Sequence, residues 1–151
     1  MNEKVKETFL AVDKLARQDF GYGDHMVTVS FVAPPSGGGG AEAMPDPDYA
    51  RGRIMYDPSL FTNPRHTPLD LVLYAYHENA HFVLAQLQQQ FEILLNHTVS
   101  MKSYGDMAVA MSEPVLERTV ESIGRAVLNL RLQVGAREID KFIATLERNR
   151  R

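Results

Sequence analysis

The stretch TPLDLVLYAYHENAHFVLAQLQQQFEILL, residues 67–95, constrains this chain more than any other segment. It contains no glycine, its single proline stands second, and apolar residues recur through it at helical spacing. Thr67 reads as the N-cap, Pro68 as a first-turn residue whose missing N–H costs nothing, and Asp70 as the partner that closes a capping box. The pattern predicts one long helix with a buried stripe of Leu69, Leu73, Tyr76, Ala80, Val83, Leu84 and Leu87. A helix of that length must organise a chain of 151 residues, because the other elements have to cover its apolar face.

Residues 3–18 read as an amphipathic helix carrying Val5, Phe9, Val12, Leu15 and Ala16, stopped by the glycines of FGYGD (20–24). MVTVSFVA (26–33) alternates and is β-branched, which predicts a strand, and a second short strand is expected from Gly52 to Tyr56, ended by Asp57-Pro58. The Gly/Pro-rich segment PPSGGGGAEAMPDPD (34–48) is expected to be a flexible surface loop: its prolines remove donors and its four successive glycines raise the cost of ordering. A linker is the plain reading of that composition; a flap over a cleft is the sharper one. NHTVSMKSYGDM (96–107) is turn-rich. A final helical region is expected from about Ser112-Glu113-Pro114 through VLERTVESIGRAVLNLRLQV, broken at Gly135 before AREIDKFIATLERN, with the tail ERNRR a frayed, solvated end. No internal repeat or second domain shows. The fold class expected is a single α+β domain over residues 1–151, with a small sheet packed on the long helix and the C-terminal helices.

Composition excludes several function classes. A net charge of −3 gives no general attraction to nucleic acid or to an anionic membrane. With no cysteine, neither a disulfide framework nor a thiolate metal site is possible, so any metal must be held by His, Asp or Glu. MNEKVKETFL at the N-terminus is charged and amphipathic rather than a signal core, and no apolar run approaches membrane-spanning length. The cytoplasm is the compartment these features predict.

Within the long helix, HENAH (77–81) places His77 and His81 four residues apart, on one face and one turn from each other. Two neutral imidazoles so placed can hold one tetrahedral Zn2+. Glu78 points slightly off that axis, where it can reach a water activated by the metal and take its proton. The flanking residues are uncharged, Ala75 and Tyr76 before, Phe82 and Val83 after, which suits a cleft. The competing reading is two histidines satisfied by ordinary hydrogen bonds on a partly buried helix.

YHENAHFVLA (76–85) resembles the active-site helix of the zincin metallopeptidases, whose pattern is H-E-x-x-H with uncharged flanks. The order of strand, H-E-x-x-H helix and later helix is similar to the minimal core of small intracellular zincins such as the ImmA/IrrE-type and SprT-type peptidases. That resemblance implies zinc-dependent hydrolysis of a peptide bond in a protein or peptide substrate, with Glu78 as general base and a third protein ligand completing the site. The metzincin extension is absent, since Leu84 and Leu87 occupy the places of its glycine and third histidine. A gluzincin-like arrangement fits LERTVESIG (116–124): Glu117 as ligand, Glu121 as the carboxylate that orients a ligand histidine, and Gly124 permitting close helix packing. The family more often carries aspartate where Glu121 stands. Glu113 competes with Glu117, because the stripe Leu116, Val120, Ile123, Val127 ranks Glu113 as more inward-facing; all three glutamates could instead form a solvated helix face. His97 and Tyr104 are candidates to hydrogen-bond the oxyanion, against a capping or packing role. A regulatory protein partner is compatible with the reading. The alternative function is a zincin-fold binding or regulatory protein with structural or vestigial metal, and a further one is a helical regulator in which the motif is accidental.

Overall fold

The computed structural model describes the chain apart from residues 24–25, 38–39, 47–50, 99–101 and 151, and at 86, 91–92, 95–98 and 102–113 it describes backbone alone. The elements are α1 (Glu3–Asp19), β1 (Met26–Ser30), β2 (Ala41–Asp46), β3 (Arg51–Tyr56), α2 (Ser59–Thr62), α3 (Pro68–Thr98), α4 (Lys102–Val134) and α5 (Arg137–Arg150). The strands form one sheet in the order β1-β3-β2, with β1 parallel and β2 antiparallel to β3. The architecture is α+β, as expected.

Several local signals act as the sequence predicts. The Thr67 N–H donates to Asp70 Oδ2 at 2.7 Å and the Asp70 N–H to Thr67 Oγ1 at 3.2 Å, which is the reciprocal cap that starts α3. Gly135, at φ 82°, separates α4 from α5, in a conformation open to residues without a Cβ. In α1, Val5, Phe9, Val12 and Ala16 are buried, and Phe9 lies at the centre of an aromatic cluster. Its ring is 4.8 Å from Tyr56, 4.8 Å from Phe61 and 5.3 Å from Phe142 of α5, the first two edge-on.

Other expectations are corrected. The 34–48 segment is not loop throughout, because Ala41–Asp46 is strand β2. The Asp57 N–H donates to the Gly40 carbonyl at 2.6 Å, which sets the ladder so that residues 42, 44 and 46 face β3 while 41, 43 and 45 face the free edge. Pro45 therefore stands where its missing N–H breaks no ladder bond. Composition alone misses this strand because its order comes from pairing with β3, the next strand along the chain, and not from its own residues. β1 ends at Ser30, short of residue 33.

The turn expected over 96–107 shrinks as well: α3 runs to Thr98 and α4 begins at Lys102, leaving Pro114 inside α4 rather than at its start. Helix propagation is cooperative, so weak formers are carried when they extend helices already nucleated. The buried stripe of α3 is rotated and two-sided. Tyr76 and Ala80 are fully buried, but Leu69, Val83 and Leu87 are exposed, and Leu71, Val72, Ala75 and Asn79 are buried instead. The cause is that α3 is covered by α1, α5 and β2 as well as by α4. The tail is ordered through Arg150, whose guanidinium donates to the carbonyls of Phe61, Asn63 and His66 at 3.2, 3.2 and 2.7 Å.

On its core side α3 is held by a buried polar cluster. The Tyr56 hydroxyl donates to Asp13 Oδ1 at 2.8 Å, and Asn79 Nδ2 donates to the same oxygen at 3.0 Å. Burial pushes the Asp13 carboxyl up, against the opposing pull of Arg17 and these two donors. The Tyr22 hydroxyl closes the cluster on the carbonyl and side-chain oxygen of Asn79.

The sheet meets α3 most closely at Gly52. A Cβ there would lie 2.5 Å from the Phe82 ring and 2.7 Å from the Met44 carbonyl oxygen. Gly52→Ala is expected to destabilise the protein by about 1–3 kcal/mol, the usual cost of overpacking. Urea denaturation measures this, and an unchanged midpoint would mean that the strand and Phe82 do not approach so nearly.

Candidate metal centre

Because Ala75, Tyr76, Asn79 and Ala80 face the core, the other side of the same turns of α3 carries Tyr74, His77 and Glu78 into a cleft of about 420 Å³. Glu117 and Glu121 of α4 form its opposite wall. The two helices approach at Gly124, where an added Cβ would lie 3.3 Å from the backbone N and Cα of His77. A Cβ would fit only if one backbone gave way by a few tenths of an ångström. On α4 the inward face is Val120, Gly124 and Leu128, all buried, and Glu117 lies along it.

Glu117 sits between the two imidazoles. Its Oε2 is 3.6 Å from His77 Nε2 and its Oε1 is 3.6 Å from His81 Nε2, with the rings 5.1 Å apart at 75°. One ligand atom from each of His77, His81 and Glu117 falls within 4.8 Å of the others. A tetrahedral ion with bonds near 2.1 Å needs ligand atoms about 3.4 Å apart, so this donor set fits zinc after a small contraction. His77 Nδ1 lies 3.0 Å from Glu121 Oε2, which engages that nitrogen and leaves Nε2 for the cleft. Glu121 Oε1 accepts from Arg125 Nε at 2.6 Å. Burial pushes Glu121 up, but the hydrogen bonds from Arg125 and His77 outweigh it and the net shift is downward. The His81 imidazole is held below its ordinary value, chiefly by burial, with Glu117 opposing and His77 assisting, which favours the neutral form that a metal ligand uses.

Glu78 is only 4% exposed. Burial, then the charge of Glu117, pushes its carboxyl up to about 8, while the backbone N–H of Ala43 donates to it and pulls the other way; the charge of Glu42 adds a further rise. That N–H belongs to the outward edge of β2. The strand predicted at 52–56, β3, is the central one, and the strand that reaches Glu78 comes from the segment read as loop.

Among the expected site residues, His77, Glu78, His81, Glu117 and Glu121 are thus brought together. The side chains of Glu113, His97 and Tyr104 lie outside the described residues. Sequence reasoning missed Arg125, four residues after Glu121 at salt-bridge spacing, and also His66 and Tyr74, which line the cleft beside it. It also missed Asn79, whose place inside HENAH gave no sign of its buried partners.

No protein-family model matches this chain, and neither a curated protein nor a solved structure does.

Two outcomes are expected from this geometry. Gly124→Ala requires α4 and the His77 backbone to part by a few tenths of an ångström, so zinc affinity in a competition titration should fall about tenfold, at the lower end for loss of a ligand-orienting group. Wild-type affinity would show that the backbones do not meet this closely. The second concerns pH. Glu78 in the metal-free folded chain keeps its proton up to about 8, whereas an unfolded glutamate releases it near 4.5. Between those values the unfolded chain binds fewer protons, so metal-free stability should fall as pH rises from 4.5 to 8. Glu78→Gln should flatten that slope in denaturation measured across the range.

Proposed function

We propose that the chain is a zinc-dependent metallopeptidase of the zincin type, hydrolysing a peptide bond in a protein or peptide. The observation that carries the reading is Glu117, reaching both His77 and His81 at 3.6 Å beside the buried carboxyl of Glu78. His77, His81 and Glu117 would hold the metal, leaving the open fourth position that a catalytic rather than a structural site requires. Zinc bound there supplies Lewis acidity, polarising a carbonyl and lowering the pKa of a water.

Glu78 takes the proton of the attacking water and delivers it to the leaving amine. Its burial favours that role, because a desolvated carboxylate is a stronger base than one in water. Ala43 N–H fixes the carboxylate from the strand side. Glu121 keeps the proton of His77 on Nδ1, so that Nε2 presents its lone pair to the cleft. The cytoplasm remains the compartment this reading implies, since a chain without cysteine takes no stability from an oxidising one. Among the described residues no helix is long and apolar enough to cross a membrane.

Elemental analysis of the purified protein should find about one zinc per chain, as a three-ligand site implies. His77→Ala and His81→Ala should lose it, and Glu117→Ala should bind it far more weakly than Glu121→Ala does. Glu78→Gln should keep the metal and lose hydrolysis of a denatured protein. Zinc bound without turnover in the wild type would instead favour a binding or regulatory protein, and absence of stoichiometric zinc would end both readings.

A further inference from the structure

The tyrosines with described side chains divide into two kinds. Tyr22, Tyr56 and Tyr76 use their hydroxyls in buried hydrogen bonds, to Asn79, Asp13 and Asp19. Tyr74 donates to no group among the described residues, although its ring is fixed: His66 packs edge-on against it at 5.7 Å and 77°. His66 is itself held through its carbonyl by Arg150 at 2.7 Å. Tyr74 stands three residues before His77, just under one helical turn, and lines the cleft with His77, Glu78, Glu117 and Glu121. A phenol so held, with a hydroxyl that no described group engages, is available to an acceptor bound in the cleft.

We propose that Tyr74 is a catalytic residue, donating a hydrogen bond from its hydroxyl to the carbonyl oxygen of the bond being cleaved. The inference rests on the peptidase reading and assigns the donor that the sequence sought in His97 and Tyr104. As water adds to the carbonyl, charge gathers on that oxygen, and a donor already oriented there stabilises the transition state more than the ground state. No proton leaves the phenol. Burial, with the nearby carboxylates of Asp70, Glu78 and Glu121, raises its pKa, so it remains a donor throughout the range in which Glu78 works. Those same carboxylates disfavour a role in binding a carboxylate of the substrate.

The test compares wild type with Tyr74→Phe, which keeps the ring against His66. Both proteins are zinc-loaded, and kcat, KM, zinc content, melting temperature and the Kd for a phosphinic peptide mimicking the tetrahedral geometry are measured. Loss of one oxyanion donor is expected to lower kcat about 100-fold. Phosphinic-peptide binding should weaken by a comparable factor, with KM, zinc content and melting temperature unchanged. Wild-type kcat and phosphinic-peptide affinity in Tyr74→Phe overturn the inference while leaving the peptidase reading intact. A lower melting temperature or lost zinc in the variant assigns Tyr74 to structure and overturns it equally. A zinc-loaded wild type that neither cleaves peptides nor binds the phosphinic peptide overturns the peptidase reading, and this inference falls with it.

Discussion

At Gly124 the backbone of α4 lies against the backbone of α3, and a Cβ there would press on His77 at 3.3 Å. Helices separated by ordinary side chains stand about 8–10 Å apart, and a glycine at the contact lets them come closer. Glu121 and Glu117 precede the glycine by three and seven residues, the spacing that repeats along one helix face. Their contacts with His77 and His81 follow from the close approach together with that spacing. A single hydrogen atom where other residues carry Cβ thus sets the width of the site.

The other side of α3 answers with an opposite strategy. A carboxyl at Asp13 with no exposure is tolerated because Tyr56, Asn79 and Arg17 all address it. Removing any of them leaves a buried polar group wanting a partner, which costs more than the bond itself contributes. Asn79 is therefore bound to face inward, and since Glu78 precedes it and Ala80 follows, the rotation of the whole motif is fixed. Close packing sets the distance between the helices, and the buried polar cluster sets the angle at which α3 presents its histidines.

What was legible in the sequence was local. The capping box at Thr67 and Asp70, the break at Gly135, the face shared by His77 and His81, and the meaning of Gly124 each depend on residues a few positions apart. The failures lay in pairing and packing. Strand β2 owes its order to antiparallel pairing with β3, the next strand along the chain, and nothing within AEAMPD announces it, as alanine and proline are poor strand formers. The stripe on α3 was drawn as if the helix had one buried side, whereas α1 and α4 cover it from two. On α4, Val120, Gly124 and Leu128 line the inward face, and a glycine carries no weight in a hydrophobic stripe, so the stripe alone could not mark where α4 meets α3.

Glu121 reaches His77 with one methylene more than an aspartate would have, and Arg125 steadies the longer side chain. The extra methylene adds a rotatable bond, so a glutamate alone would hold His77 less firmly. Arg125, one turn further along α4, takes Oε1 with Nε and Nη2, both at 2.6 Å, while Oε2 remains on His77 Nδ1 at 3.0 Å. A guanidinium gripping one oxygen reduces the freedom that glutamate has over aspartate. The same grip draws electron density from the carboxylate, making it a weaker acceptor for the Nδ1 proton. On the metallopeptidase reading, Arg125 thus trades some basicity at His77 for orientation, a balance that a shorter aspartate, with no arginine one turn away, would strike differently.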